Sequence, residues 1–197
     1  MPTVQRFYAG AGDCVAIYER ADDGSLALQR SVQVAGGVRA LCMSPDNFSM
    51  HVVTADKQCI TLKVDQESGN LAPSGGDPVS LPISPAYATT DKTGRFVLLA
   101  SYMEPGAAAV LSVGADGSVK AVASLLDDLR SYSHFIDTDM TNRFAFVPCV
   151  AGVKAPAAKL PLPPPPLQLL LSLLPLAPPP PPPPPPPLSC YAAAARC

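Results

Sequence analysis

The sequence predicts an all-β chain. Residues 1–150 read as a β-propeller cut to about three blades, and residues 151–197 read as a low-complexity tail rich in proline and leucine. Three observations carry this. A strand–turn–strand unit recurs along the first part, a second unit recurs out of phase with it at the same period, and the composition changes abruptly near residue 150.

The first unit is a strand, a polar glycine turn, and a return to Leu or Val. It reads CVAIYERADDGSLAL from Cys14, CITLKVDQESGNLAP from Cys59 and AAVLSVGADGSVKAV from Ala108. Its turn glycines, Gly24, Gly69 and Gly117, lie 45 and 48 residues apart. Asp-Gly and Ser-Gly between alternating apolar runs are hairpin signals, because glycine accepts positive φ without a steric clash. The second unit reads ALCMSPDNFSMHVV from Ala40, ATTDKTGRFVLLA from Ala88 and FIDTDMTNRFAFVP from Phe135. Its turns begin at Ser44, Asp91 and Asp139, 47 and 48 residues apart. Four short strands in a period of this length are the mark of a propeller blade. No long window shows the three-and-four apolar spacing of a helix. A β-sandwich has short strands too, but no fixed period.

Residues 151–197 hold 17 of the 25 prolines, with an unbroken run from Pro178 to Pro187. Such a run favours extended polyproline II and cannot join a sheet. Its Pro-Leu-Pro-Pro-Pro-Pro stretch is of the kind that SH3, WW or EVH1 domains read, so polyproline-binding domains are one candidate class of partner. At about 47 residues per blade, 150 residues make about three blades, fewer than a ring needs to close. The expectation is therefore that VAGVKAPAAKLPLPPPP breaks the fold inside a blade instead of linking two domains.

Charge and cysteine usage exclude several function classes. Residues 1–150 carry 11 basic and 16 acidic side chains, a poor balance for binding nucleic acid. The start has no apolar core of signal-peptide length, and the longest apolar block, LQLLLSLLPLA, is too short for a span and contains Pro175. A cytoplasmic protein without membrane contact is expected. The six cysteines include no Cys-x-x-Cys pair, so no metal is expected, and buried free thiols are expected at Cys14, Cys42, Cys59 and Cys149.

In order, DDGSLALQRSVQV, LCMSPDNFSMHVV, KVDQESGNLA, ATTDKTGRFVLLASY, DGSVKAV and HFIDTDMTNRFAFVPCV resemble the 6-phosphogluconolactonase family of the seven-bladed propeller type. The resemblance runs from about Val4 to about Val150, and its most specific part is GRFVLLASY followed 39 residues later by SHFIDTDMTNRFAFVPC. It implies hydrolysis of 6-phospho-D-glucono-1,5-lactone to 6-phosphogluconate, in the pentose phosphate pathway, without a metal or organic cofactor. Muconate-cyclizing enzymes share the fold and part of the pattern, which leaves that reaction as an alternative. A non-catalytic adaptor acting through its proline tail is another. In an incomplete propeller, the chain alone is expected to be inactive. Two departures stand out. Many members have Pro-x-His where this chain has Pro85-Ala86-Tyr87, and proline is common where this chain has Val38-Arg39.

Lactone hydrolysis needs a base, an acid for the ring oxygen and donors for the developing oxyanion. His134 aligns with the family's histidine before the inner strand of the third copy and is the candidate base; a turn histidine bonded to backbone is the plain alternative. Ser101 and Tyr102 match the family's Ser-Tyr or Asn-Tyr at a strand end and are candidate substrate contacts, with a channel-lining or interblade tyrosine as the plain alternative for Tyr102. Arg39 is the candidate phosphate partner, with a solvated surface role as the alternative. His51 reads as a partly exposed strand residue. Arg95 and Arg143 sit at equivalent turn positions, which suggests pairing with Asp91 or Asp139 across the turn. Neither a nucleophile elbow nor a dinucleotide loop is present: Gly10-Ala11-Gly12 leads into a strand.

Overall fold

The computed structural model describes residues 5–103, 105–129 and 132–150, so the proline-rich tail and its partner-binding reading lie outside the described residues. The strands fall into four antiparallel sheets in chain order. The first is β1 (Arg6–Ala11), β2 (Cys14–Arg20) and β3 (Leu26–Gln33). The second is β4 (Val38–Met43), β5 (Ser49–Thr54) and β6 (Gln58–Val64), with β7 (Leu71–Pro73) and β8 (Val79–Ser80) sharing its outer edge. The third is β9 (Tyr87–Thr90), β10 (Phe96–Ser101), β11 (Gly106–Val113) and β12 (Val119–Leu129). The fourth is a pair, β13 (Asp137–Thr138) and β14 (Ala145–Phe146).

The repeat aligns β1 with β5 and β10. The first sheet therefore has no counterpart of β4 or β9 among the described residues. The outer strand of the second sheet is broken in two: β7 pairs with Leu62–Val64 and β8 with Gln58 and Cys59. Between them lies Ser74-Gly75-Gly76-Asp77-Pro78, a segment too rich in glycine and proline to continue a ladder.

Three apolar cores separate the four sheets. Val15, Ile17, Met50, Val52 and Leu62 fill the space between the first two sheets. Val53, Cys59, Val97, Leu99, Ala109 and Leu111 fill the next. Leu98, Ala100, Val110, Ile136 and Ala145 fill the third. The period of two explains this division. On β5, Met50 and Val52 face back to the first sheet and Val53 faces forward to the third. On β10, Val97 and Leu99 face back while Leu98 and Ala100 face forward. Strands buried on both faces read as continuous apolar runs, and this radial stacking of sheets is the propeller plan. The first sheet shows the opposite condition. Leu26 and Leu28 on its outer strand are 53% and 57% exposed.

Both repeated turns form as the sequence predicts, with one detail beyond it. Gly24, Gly69 and Gly117 all have positive φ. In the other turn the left-handed residue is Asn47, Gly94 or Asn142, always three positions after the first turn residue. Asparagine and glycine are the residues that enter that region most easily.

The expected pairing of Arg95 and Arg143 with aspartate does not occur. Asp91 instead accepts the amides of Thr93 and Phe96, and Asp139 those of Thr141, Arg143 and Phe144. Turn amides lie nearer than any long side chain and saturate the carboxylates. Arg143 rests over the Phe144 ring, 5.8 Å from its centroid. His51 also departs from expectation: it is fully buried, because its position on β5 faces the third sheet and not solvent. Among the described cysteines all four are free thiols, but only Cys59 is fully buried.

Candidate active site

The connections between sheets, and the hairpins β1–β2, β5–β6 and β10–β11, lie at one end of the stack, here the loop end. The repeated turns lie at the other, the turn end. All four residues picked from the sequence belong to the loop end: Arg39 near the start of β4, Ser101 at the end of β10, Tyr102 just beyond it, and His134 before β13.

Ser101, Tyr102 and His134 come together. The segment carrying His134 is pinned on both sides. Ser133 is fully buried, and its single hydroxyl proton is shared between the carbonyls of Ser101 and Ala107, 2.8 and 3.2 Å away. It also bridges to Cys149 across an isolated ladder contact. Ile136 is buried in the third core. His134 stands exposed between these anchors, so its position is set by backbone and not by its own contacts. The imidazole meets the Tyr102 ring edge to face, with centroids 4.9 Å apart and planes at 83°. An imidazole beside a phenolic hydroxyl supplies a proton acceptor and a hydrogen-bond donor to one locus.

Ser101 itself is 2% exposed, and its hydroxyl donates to the carbonyl of Ser84 at 3.0 Å. That bond ties the 81–86 loop to β10. Arg39 lies one sheet away. Its Nε donates to the carbonyl of Pro85 at 2.8 Å, in the same loop. The two Nη groups have no partner among the described residues, so the guanidinium is held by one nitrogen and presents the others, an arrangement suited to an oxyanion.

Three ring-bearing residues escaped the sequence reading. Tyr132 packs against Tyr102 with centroids 5.1 Å apart and planes tilted by 44°, and holds φ at 66°, a region bulky side chains rarely occupy. Tyr87 packs against Phe135, with centroids 4.8 Å apart and planes tilted by 43°. Burial pushes the Tyr87 phenol upward, with Asp137 and Cys42 adding to the effect. It stays a neutral hydroxyl. The signal was in the sequence: Tyr132-Ser133-His134-Phe135 concentrates rings in a chain that is 6% aromatic. The rings stand at 43–83° to one another, so they form an angled apolar cluster at the strand end.

Residues 6–151 match the model of the lactonase family, described as a seven-bladed β-propeller. Among curated relatives, the 6-phosphogluconolactonase of Pectobacterium carotovorum is 33% identical over 137 residues, which are 69% of this chain and 40% of that protein. The 6-phosphogluconolactonase of Yersinia pestis is 30% identical over 149 residues, 74% of this chain and 43% of that protein. The chain thus spans less than half the length of the relatives it matches. Among solved structures, the periplasmic gluconolactonase of Pseudomonas aeruginosa superposes with a TM-score of 0.63 at 21% identity, covering 74% of this chain and 47% of that one. A protein from Lactobacillus plantarum does so with a TM-score of 0.52 at 23% identity, covering 66% and 40%; at these identities the likeness shows the fold alone. The stacked sheets, their period and the family match agree that the chain belongs to the lactonase family of seven-bladed β-propellers.

Proposed function

We propose that the loop end carries part of the binding and catalytic surface of a sugar-lactone hydrolase acting on 6-phospho-D-glucono-1,5-lactone. The observation that carries this reading is the Tyr102–His134 pair, held by the buried anchor Ser133 at the end where inner strands begin. In this reading His134 takes a proton from the attacking water and returns it to the ring oxygen as the bond from that oxygen to the carbonyl carbon breaks, and the Tyr102 hydroxyl donates to the carbonyl oxygen as charge develops on it. Arg39 offers its free guanidinium nitrogens to the phosphate. Ser101 acts through backbone, by holding the 81–86 loop that carries the arginine's partner carbonyl.

Among the described residues, four sheets, of which the first lacks an inner strand and the last has two strands, do not close a ring. Hydrolysis therefore needs the remaining blades, from a longer chain or from a second one. The free thiols at Cys14, Cys42, Cys59 and Cys149 support a reducing, cytoplasmic compartment.

The test is lactone hydrolysis measured against its spontaneous rate, for the 197-residue chain and for a chain completed with the missing blades of a relative. The expected result is background rate for the first and turnover for the second, with His134→Gln in the completed chain lowering turnover by at least about a hundredfold. A completed ring in which His134→Gln turns over normally would overturn the assignment.

A further inference from the structure

A groove of about 770 Å³ opens at the turn end, between the second and third sheets, and none of the four loop-end residues above lines it. At its floor is His51, which is fully buried and whose Nε2 has no hydrogen-bond partner. A buried polar atom without a partner calls for an account, since leaving it so costs about 1–3 kcal/mol.

The neighbouring bonds determine what that atom offers. Thr61 Oγ1 accepts the Val119 amide at 3.1 Å and lies 3.1 Å from His51 Nδ1. A hydroxyl oxygen can accept twice, so this contact admits either ring tautomer; only donation from the threonine to Nδ1 gives that hydroxyl proton a partner among the described residues, and it places the ring's own proton on Nε2. Burial keeps the ring neutral, with its pKa lowered to about 4. In that tautomer the unpartnered position is an N–H donor.

The rest of the groove is biased the same way. Gly117 lets the 114–117 turn approach so closely that a Cβ there would sit 2.7 Å from Ser49 Oγ and 3.2 Å from Lys63 Nζ. Lys63 donates to the Asp116 carbonyl, which leaves two of its protons free. Arg95 lines the groove with no partner among the described residues. The two carboxylates present match Lys63 and Arg95 in charge, and each is at least partly engaged, Asp46 through Oδ1 alone. Asp46 is held by the Ser44 hydroxyl and the Phe48 amide, and Asp116 by Lys120 and the Ser118 amide. The donors left to a ligand are the Nε2–H, two Lys63 protons and the Arg95 guanidinium.

We propose that this groove is a second ligand site, which takes a small oxyanion, a phosphate or a carboxylate group, on the His51 Nε2–H with Lys63 and Arg95 closing over it. The site is independent of the loop-end reading and stands if that reading falls.

The chain has two histidines, so its ring signals can be resolved in the full-length protein. Nitrogen-labelled protein is titrated with inorganic phosphate and, separately, with succinate, while long-range proton–nitrogen spectra report each ring. The expected result is Nε2 protonation of His51 before addition, and a saturable shift of that ring with at least one probe. The probe that acts identifies the group as phosphate or carboxylate. Lys63→Met and Arg95→Gln, both at the groove rim, should each weaken the response at least tenfold while the folded spectrum is kept. A proton on Nδ1, a ring that neither probe moves, or variants that bind like the parent would each overturn the proposal.

Discussion

At the turn end, residues 44–48, 91–95 and 139–143 solve one problem three times. At the loop end, residues 34–37, 81–86 and 132–136 occupy the same place in the repeat and share almost nothing else. In the second and third turns one aspartate accepts the amides of the residues that follow it. In the first, Ser44 and Asp46 divide that role, since Ser44 Oγ accepts the Ser49 amide and Asp46 the Phe48 amide. The chemistry is preserved although the residue changes, which is how a structural requirement looks. At the loop end one connection holds a glycine pair, one an arginine's anchor, and one a cluster of rings. Variation on a fixed frame is how a site is made, because loops carry function while strands carry packing.

The comparison can be broken most severely at His51. Its folded pKa, about 4, lies below its ordinary value of 6.5. Between those limits the unfolded chain takes a proton that the folded chain refuses. Stability is then fully present above pH 6.5 and falls as pH drops toward 4, by up to about 3 kcal/mol. Urea denaturation at about pH 7 and about pH 4.5 should show the loss, and His51→Phe should remove most of it. An unchanged pH dependence in that variant would mean that the turn end does not hide a neutral histidine.

Next in size is the pair Asp91 and Asp139, which accept equivalent amides at different depths. Asp91 is 1% exposed and also accepts from Asn142 Nδ2 at 2.8 Å. Asp91→Ala should cost about 2 kcal/mol, because it strands several buried donors. Asp139→Ala should cost less, since water can replace its carboxylate. Equal denaturation midpoints for the two variants would show that depth does not matter.

The smallest stability effects belong to the loop end. His134→Gln and Tyr102→Phe should each change unfolding free energy by no more than about 0.5 kcal/mol, since neither side chain supports the frame. A loss at His134 as large as that at Asp91 would erase the distinction between the two ends.

Much of this architecture was legible in the sequence, for physical reasons that differ by element. Gly24, Gly69 and Gly117 announce hairpins because glycine enters positive φ at the least steric cost. Runs such as RFVLLAS announce strands buried on both faces. His51 was not legible, because a polar residue in a strand reads as solvent-facing until its neighbour is known to be another sheet. The absence of Arg–Asp pairs in the turns was hidden for a similar reason: sequence shows opposite charges nearby, but not that amides have already filled the carboxylate. Arg39, Ser101, Tyr102 and His134 were found by likeness to a family. Only geometry shows that Ser101 spends its hydroxyl on backbone and that Tyr132 joins the rings.

The turns also touch one another, and that contact acts as a protractor. Pro45 lies against Gly94, where an added Cβ would be 3.1 Å from the proline ring. One step further round, Asn142 reaches back to Asp91 and accepts the Lys92 amide at 3.0 Å. The number of blades in a ring is an angle divided into a circle, and these two clasps hold neighbouring wedges at their opening. One is a steric stop and the other a pair of hydrogen bonds, so the same angular step is enforced first by shape and then by polarity.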